Sequence, residues 1–344
     1  MQIRQATEEL EAMTLSKYAV LSAKSRGRVR EEAPHPVRTA FQRDRDRIIH
    51  SKAFRRLKDK TQVFIAPTED HYRTRMTHTL EVSQISRTVA KALRLNEDLT
   101  EAIALGHDLG HTPFGHSGEA VLNRLVPGGF RHAAQSLRVV DVLEEGHGLN
   151  LTAEVRDGIA SHSGHLNDFP RPATLEGQIV KICDRVAYIN HDIDDAIRGG
   201  ILRIDDIPKE FLDILGHRHS QRINTMVQDL IESSWDQPEI RMSPRILDAT
   251  DRLHTFMFDR VYVGSAAKRE EDKAQHLLEQ LFNYYVEHPD LLPPEAENAK
   301  KAPWGSAEHA IYRRVSDYVA GMTDRYAIMQ YEKFFLPSPW RVSD

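Results

Sequence analysis

Three histidines, two carboxylates and four glycines lie within fourteen residues, from Gly106 to Glu119. Such a polar stretch is poor core material, but imidazoles and carboxylates bind metal ions and carry protons. Within it, His107 and Asp108 are adjacent. Neighbouring side chains on a helix point about 100° apart, so both can bind one ion only if it lies beside the helix. A bare His-Asp pair leaves a second interpretation open, a polar helix end with incidental histidines.

A helix predicted over residues 96–109 must position this pair. Asn96 is suited to cap its N-terminus, acidic residues follow in the first turn, and apolar residues recur with a helical period. Gly110 and Pro113 are residues that end helices. The pair is therefore expected near the C-terminal end of this helix.

A second helix, predicted over residues 179–195, carries Asp184 beside Cys183 in a mostly apolar stretch. Isoleucine and valine recur every three or four residues and predict one buried stripe. Burying an unpaired charge is costly, so a carboxylate in such a helix needs a partner, and a metal ion would serve. Asp194 and Asp195, near the end of the helix, are expected to face solvent.

His78 stands at the start of a helix predicted over residues 77–93. With His107, Asp108 and Asp184 it would supply two imidazoles and two carboxylates. This nitrogen and oxygen set suits a hard or intermediate divalent ion and leaves coordination sites for water and a phosphate oxygen. The single cysteine excludes a cysteine-based zinc cluster and internal disulfides.

The composition is that of an ordinary globular protein. The 344 residues are 40% hydrophobic and 28% charged, and no apolar run approaches the ~18 residues of a membrane span. The first ten residues lack the apolar core of a signal peptide, so a cytoplasmic location is expected. The net charge is −5, yet residues 24–60 hold thirteen Lys and Arg against five acidic residues. This basic stretch suits a polyphosphate or a nucleic-acid backbone, or it is simply a solvated arm.

The motifs together resemble a known enzyme family. The arrangement His78…His107–Asp108…Asp184 resembles the HD superfamily of metal-dependent phosphohydrolases. More closely, the chain is similar to bacterial deoxyguanosine triphosphate triphosphohydrolases (dGTPases) and dGTPase-like proteins. The matching segments are residues 43–47, 54–57, 60–63, 75–78, 107–119, 135–138 and 184–192.

The resemblance implies an all-α, helical HD-domain phosphohydrolase fold, with at most a small β-hairpin near residues 61–72. It divides the chain into an N-terminal helix and mobile basic arm (1–36), a catalytic core (37–262) and a C-terminal helical region packed on the core (263–344). It also implies hydrolysis of a deoxynucleoside triphosphate (dNTP) to deoxynucleoside and tripolyphosphate by attack at the α-phosphate.

The resemblance also implies roles for individual residues. One divalent ion, Mn or Mg with Fe, Co, Ni and Zn also open, would be bound by His78, His107, Asp108 and Asp184. The catalytic residues would be His116 with Glu119, and in addition His111 and His132. Substrate would be bound by Arg75 and Arg185 at the phosphates, by Tyr188 and Asp192 at the sugar, and by Gln62 and Val63 near the sugar or base. Lys181 is a further candidate for the phosphates by proximity alone.

Several alternatives stay open at this point. His116 and Glu119 could form only a helix-end hydrogen-bond pair, Tyr188 could be plain core, and His132 could be structural. The remaining histidines of this region are interpreted as structural or supporting residues: His162, His165 and His191. Alternative functions are another HD-type phosphodiesterase or nucleotidase, or a catalytically silent oligomer that senses nucleotides or binds single-stranded nucleic acid. The expected partners are a dNTP, further copies of the chain, and a regulatory dNTP or single-stranded DNA, with no membrane.

Overall fold

The computed structural model describes residues 3–62, 73–164, 171–262, 268–294 and 307–337. The described residues form fifteen α-helices, which are α1 (Ile3–Thr14), α2 (Ala40–His50), α3 (Lys52–Arg56), α4 (Arg75–Ala92), α5 (Glu97–Gly106), α6 (Gly115–Leu125), α7 (His132–Arg138), α8 (Ala153–Ser161), α9 (Leu175–Arg198), α10 (Lys209–Leu215), α11 (His219–Ser234), α12 (Pro244–Met257), α13 (Lys268–Glu287), α14 (Ala307–Ala320) and α15 (Asp324–Phe335). No described helix is long and apolar enough to cross a lipid bilayer.

The all-α prediction is confirmed. In the ranges given above, β pairing is limited to two isolated antiparallel bridges, Arg28 with Thr152 and Thr61 with Thr74. Residues 63–72, most of the predicted hairpin, lie outside the described residues. The N-terminal helix expected within residues 1–36 is α1, which covers Ile3–Thr14.

The helices that carry the candidate residues begin where their capping side chains predict. Asn96 accepts a hydrogen bond from the Leu99 amide at the start of α5, and Thr174 accepts one from the Gly177 amide at the start of α9. Helix α5 ends at Gly106, three residues before the predicted end, with His107 as its C-terminal cap. The His-Asp pair therefore lies just beyond the last helical turn.

Two hydrophobic clusters organise the described helices. The core cluster includes apolar side chains of α2–α5 and α8–α12, and its largest buried members include Ile103 on α5, Ile159 after the middle of α8, and Ile179 on α9. The C-terminal cluster joins α6 to α13–α15 through residues such as Leu122 and Phe282. Each fully buried side chain of this size contributes roughly 1.5–3 kcal/mol.

The basic stretch is largely paired within the chain. Arg28 forms an ion pair with the buried Asp44, while Arg43 and Arg47 both contact the carboxylate of Glu32, at 2.8 and 2.5 Å. These contacts place the segment before α2 against the rest of the structure. Carboxylates outside the stretch offset part of its excess positive charge, because Glu154 pairs with Arg26, and Asp98 and Glu101 pair with Arg45.

Candidate active site

The four residues expected to bind a metal converge from three helices. His78 lies on α4, His107 and Asp108 directly follow α5, and Asp184 lies on α9. The His78 Nε2 is 3.0 Å from the Asp184 Oδ1, and the His107 Nε2 is 3.7 Å from the same oxygen. Ligand atoms of His78, His107 and Asp108 all lie within 4.8 Å of one another. The structure thus brings together every residue of this predicted set.

Hydrogen bonds to neighbouring groups orient these ligands. The His107 Nδ1 donates to the carbonyl oxygen of Ala104 at 2.6 Å, which turns its Nε2 toward the other ligands. That Nε2 is buried and makes no hydrogen bond within the part of the chain that the structure describes. Arg75 donates to the Asp108 Oδ2 at 2.6 Å and leaves the Oδ1 directed toward the His107 ring.

Both carboxylates are held in the charged form. Burial would raise the pKa of Asp108, yet the adjacent His107 and the Arg75 guanidinium hold it well below its usual range. Burial would likewise raise the pKa of Asp184, but a hydrogen bond from His78 and the nearby His107 lower it to about 2. Two ionised carboxylates beside an unpartnered imidazole nitrogen fit a divalent cation.

The loop that follows Asp108 is held by close backbone packing. A Cβ atom on Gly110 would lie 2.1 Å from the amide nitrogen of Ser136 on α7, so only glycine fits there. The Gly110 amide donates to the Ser136 hydroxyl at 2.9 Å. Phe114 adopts a left-handed φ of 59°, and its amide donates to Asp324 on α15 at 2.9 Å. This loop delivers the chain to α6.

Glu119 on α6 contacts His132 more closely than it contacts His116, whereas the sequence predicts a pair of His116 with Glu119. The Glu119 carboxylate accepts from the His132 ring Nδ1 at 2.9 Å and from the His132 amide at 2.8 Å. The His116 Nδ1 is 3.5 Å away, and the His116 side chain is 79% exposed. His132 begins α7 and presents both its amide and its ring to Glu119, whereas His116 lies on the solvent side of α6.

The charges of this group follow from its contacts. Burial would raise the pKa of Glu119, but its contacts with His116 and His132 lower that pKa well below the usual range. Burial would lower the pKa of His132, but the hydrogen bond to Glu119 raises it. Burial lowers the pKa of His111, so its imidazole is neutral. Both ring nitrogens of His111 are buried without a hydrogen-bond partner, and the ring stacks on His132 with centroids 4.7 Å apart.

His162 is a member of the site that the sequence interpretation assigned to a supporting role. It directly follows α8, its Nε2 lies 3.1 Å from the His132 Nε2, and the same atom lies 3.9 Å from the Asp108 Oδ1. Its Nδ1 donates to the carbonyl oxygen of Ile159, three residues earlier, as that of His107 does to Ala104. His107 and His162 each stand directly after a helix, and this repeated position is the signal that could have predicted His162 as a member of the site. His165 lies outside the described residues.

The residues expected to bind substrate are only partly assembled around this centre. Arg75 is buried within it. On α9, Lys181 precedes Asp184 by three residues, and Arg185, Tyr188 and Asp192 follow Asp184. Arg185 is paired with Asp251 on α12 at 2.6 Å.

Burial raises the pKa of Asp192 well above its usual range, and it raises that of Tyr188. The Gln62 carbonyl oxygen would lie 3.2 Å from a Cβ on Gly115, so its backbone borders the loop. Val63 lies outside the described residues. Near the end of α9, Asp195 is buried against Arg73 at 2.8 Å rather than facing solvent, because Arg73 supplies the charge that permits burial.

Known proteins match almost the whole chain. Residues 75–189 match the HD domain family, and residues 240–333 match the phosphohydrolase-associated domain family. A "deoxyguanosinetriphosphate triphosphohydrolase-like protein" of Caldanaerobacter subterraneus subsp. tengcongensis is 60% identical over 99% of this chain and 98% of its own length. Proteins of the same name from Desulfatibacillum aliphaticivorans and Clostridium perfringens strain 13 are 51% and 50% identical, over 98% of this chain and 99% and 98% of their own lengths.

Among solved structures, a hypothetical protein from Aquifex aeolicus has a TM-score of 0.47 and 18% identity, over 79% of this chain and 70% of that one. The two family matches and the names of the curated relatives support a phosphohydrolase. Identity of this level over nearly the full length of several relatives leaves no ambiguity of family. The chain belongs to the HD-domain family of deoxyguanosinetriphosphate triphosphohydrolase-like proteins.

Proposed function

We propose that this protein hydrolyses deoxynucleoside triphosphates, dGTP or a broader set of dNTPs, to deoxynucleoside and tripolyphosphate. The observation that carries the proposal is the convergence of His78, His107, Asp108 and Asp184 beside the Arg75 guanidinium. Two imidazoles and two ionised carboxylates suit a divalent cation, and a neighbouring arginine suits the phosphates of a nucleotide. The names of the relatives supply the nucleotide class.

A divalent ion bound by these four residues, Mn or Mg or alternatively Fe, Co, Ni or Zn, would polarise the α-phosphate and lower the pKa of a water molecule. In the reaction, water adds to the α-phosphorus while the bond to the 5′-oxygen of the nucleoside breaks. The departing oxygen then needs a proton. His116 lies on the exposed side of α6, with its Nδ1 3.5 Å from the Glu119 carboxylate, and we assign it the role of general acid.

The other residues around His116 would bind the triphosphate, neutralise its charge or hold a neighbouring side chain in place. His111 is neutral and buried, so its ring N–H is suited to donate to an α-phosphate oxygen. Glu119 holds His132 in place through two hydrogen bonds. Arg75, with Arg185 and Lys181 on α9, would neutralise the triphosphate, and most of the catalysis in phosphoryl transfer is such electrostatic positioning.

The face of α9 beyond Asp184 suits the sugar. Tyr188 would fill the space that a ribose 2′-hydroxyl needs, and Asp192 would contact the sugar. Gln62 and Val63 would border the sugar or base. We also propose a homo-oligomer, which static light scattering of the purified protein would test.

The test is product identification. Purified protein is incubated with Mn²⁺ or Mg²⁺ and each dNTP in turn, then with all four, and the products are separated by ion-exchange chromatography. Deoxynucleoside with tripolyphosphate supports the proposal, and the rates for the four bases separate dGTP preference from broad activity. Turnover only in the mixture indicates activation by a second nucleotide. Pyrophosphate or phosphate as the product indicates a different HD-type hydrolase, and no product with metal bound indicates a nucleotide sensor.

A further inference from the structure

One carboxylate at the start of α15 contacts two segments of the candidate active site. Asp324 is the first residue of this helix. Its Oδ2 accepts a hydrogen bond from the Thr61 amide at 2.9 Å and another from the Thr61 hydroxyl. Its Oδ1 accepts one from the Phe114 amide at 2.9 Å. The two oxygens of a single side chain therefore join two segments that are distant in the sequence.

Each of these segments leads to a residue of the proposed function. Thr61 directly precedes Gln62, which would border the sugar or base of the nucleotide. Phe114 precedes the first turn of α6, which carries His116, the residue assigned as general acid. The segments also touch each other, because a Cβ on Gly115 would lie 3.2 Å from the Gln62 carbonyl oxygen. The distance between the nucleoside and the proton donor thus depends on how the two segments are held together.

The backbone of Phe114 needs such support. Its φ of 59° is left-handed, a conformation that is unfavourable for a residue other than glycine. It is the N-terminal cap residue of α6, yet its side chain makes no capping hydrogen bond. Instead its ring is buried in the C-terminal cluster, and its amide donates to Asp324. The C-terminal helices therefore hold both the ring and the backbone of the residue from which α6 begins.

The contacts require a carboxylate at position 324. Both oxygens of Asp324 accept hydrogen bonds, and their partners are two N–H groups and one O–H group. An ionised carboxylate accepts at both oxygens, whereas an asparagine accepts at one and would turn its NH₂ group toward a donor of the other segment. The first turn of a helix also stabilises negative charge.

A second contact joins the same parts of the molecule. Lys60, the residue before Thr61, donates to the carbonyl oxygens of His111 and Ala320. Ala320 ends α14, and Asp324 begins α15. The turn between these two helices therefore contacts both active-site segments through side chains at each of its ends.

We propose that Asp324 is a positioning residue of the reaction: it sets the place of His116 relative to the nucleoside that Gln62 borders. This inference rests on the proposed function, in which His116 is the general acid. A displacement of about 1 Å between reacting groups can lower a rate about 10²-fold, so the role has a measurable consequence. The competing explanation is that Asp324 only anchors α15 and contributes stability.

A double-mutant cycle distinguishes these explanations. Asp324→Asn is made in the wild-type protein and in the His116→Ala variant, and kcat is measured as release of tripolyphosphate. We expect kcat to fall by about 10–100-fold in the wild-type background. In the His116→Ala background it should fall by no more than about twofold, because a residue that acts through His116 has nothing left to position there. The Mn²⁺ content should be unchanged.

Matched variants test the contact from its other end and control for the loss of charge. Thr61→Val removes the hydroxyl donor and should lower kcat less than Asp324→Asn does, whereas Thr61→Ser keeps the donor and should restore kcat. The control is Asp229→Asn, the same chemical change at a carboxylate that accepts from the Ser243 amide at 2.8 Å before α12. It should keep the wild-type kcat. If Asp324→Asn does not fold by circular dichroism, the two Thr61 variants decide.

Hydrogen–deuterium exchange gives a measurement that needs no turnover. Asp324→Asn should speed exchange in the peptides that cover residues 58–62 and 110–116, because both segments lose a partner. Asp229→Asn should leave exchange in these two peptides at the wild-type rate. Unchanged exchange in either peptide of folded Asp324→Asn would show that the carboxylate does not join the two segments.

The kinetic outcomes separate the role of Asp324 from the proposed function. An equal loss of kcat in the two backgrounds would mean that Asp324 acts through the stability of the fold, and it would overturn the positioning role. Wild-type kcat in folded Asp324→Asn or in Thr61→Val would overturn it as well. No tripolyphosphate from the wild-type protein with any dNTP would reject the proposed function itself, whereas a failure confined to the variants rejects only the role of Asp324.

Discussion

The residues proposed to bind the metal ion and those proposed to transfer protons are held by different parts of the molecule, the metal-binding half and the catalytic half. His78 and Asp184 lie on α4 and α9, which are 18 and 24 residues long and belong to the core cluster. His116 and Glu119 lie in the first turns of α6, whose apolar face packs on α13 in the C-terminal cluster. His78, His107 and Asp108 of the metal-binding half are buried and Asp184 is partly buried, whereas the His116 side chain in the catalytic half is 79% exposed.

A few polar contacts connect the two halves. Arg138 on α7 donates to both carboxylate oxygens of Asp317 on α14, at 2.7 and 2.6 Å. The buried Lys60 donates to the carbonyl oxygens of His111 and Ala320, and burial lowers its pKa to about 7. This arrangement implies that a change in the half that carries His116 and Glu119 can lower turnover while it leaves metal binding in place.

The largest expected effect is in the metal-binding half. Asp184→Asn removes an ionised oxygen that lies near both His78 and His107, so we expect much weaker Mn²⁺ binding and a loss of roughly 10³-fold or more in kcat/KM. The measurements are metal content after dialysis and the rate of tripolyphosphate release. Asp194→Asn, on the same helix at a partly exposed ion pair with Arg198, is the matched control. Full metal content in Asp184→Asn would show that Asp184 is not a ligand.

In the catalytic half, His116→Ala should lower turnover without changing metal binding. The side chain is exposed and lies outside the buried ligand group, so metal binding should be unchanged. Removing a general acid should lower kcat by about 10²–10⁴-fold. His147→Ala removes a comparably exposed histidine away from the site and should have no effect on kcat. Wild-type turnover in His116→Ala would refute the assignment.

The sequence predicts the helices and the metal ligands of one half better than it predicts the contacts around Glu119 in the other. Helical periodicity, with the Asn96 cap, predicts α5, because caps and apolar spacing act within a few residues. The four proposed metal ligands form a motif that is recognisable in the sequence. The contact of Glu119 with His132, and the position of His162, depend on how α7 and α8 approach α6 and the end of α5. Such approaches are set by packing between helices distant in the sequence. The only local signal is the position of His162 directly after a helix, which it shares with His107.

Burial of charge was hard to foresee for the same reason. A carboxylate near a helix end is usually solvated, and Asp195 is buried only because Arg73, over a hundred residues earlier, reaches it. Likewise, the positive excess of residues 24–60 does not reveal that acidic residues outside it pair with its arginines, Glu154 with Arg26, and Asp98 and Glu101 with Arg45. The sequence alone shows the charges, whereas the tertiary structure determines which of them remain available to a ligand.

The connection between the halves is open to a direct stability test. Asp317→Ala would leave the buried Arg138 guanidinium without its carboxylate, and breaking a buried pair in this way costs about 3–5 kcal/mol. Asp141→Ala breaks the partly exposed Arg156–Asp141 pair and should cost about 1 kcal/mol or less. Urea denaturation measures the free energy of unfolding for both.

Asp317→Ala also tests whether the C-terminal helices position the catalytic half. Provided the variant remains folded, we expect lower kcat with unchanged Mn²⁺ affinity, because Asp317 holds α14 to α7, and α7 carries none of the four ligands of the proposed function. A fall in Mn²⁺ affinity as large as the fall in kcat would mean that the two halves act as one unit.

The smallest expected effect is a pH dependence of stability that arises in the metal-binding half alone. Glu176, at the start of α9, accepts hydrogen bonds from the amides of Val20 and Asn96, and burial raises its pKa to about 7 from the ordinary 4.5. The folded protein therefore holds this proton more tightly than the unfolded chain. Stability from this group is fully present below about pH 4.5 and is lost as the pH rises to 7, by up to about 3 kcal/mol.

Glu176→Gln keeps the shape and a hydrogen-bond acceptor for both amides but cannot titrate. Its melting temperature should therefore fall less between pH 5 and pH 8 than that of the wild type, and the two curves should converge at low pH. Because Glu176 links α9 to the start of α5, the difference should appear equally in metal-free protein. Parallel curves for wild type and variant would show that Glu176 is already ionised at pH 5, and that hydrogen bonds from the two amides outweigh the cost of burying its charge.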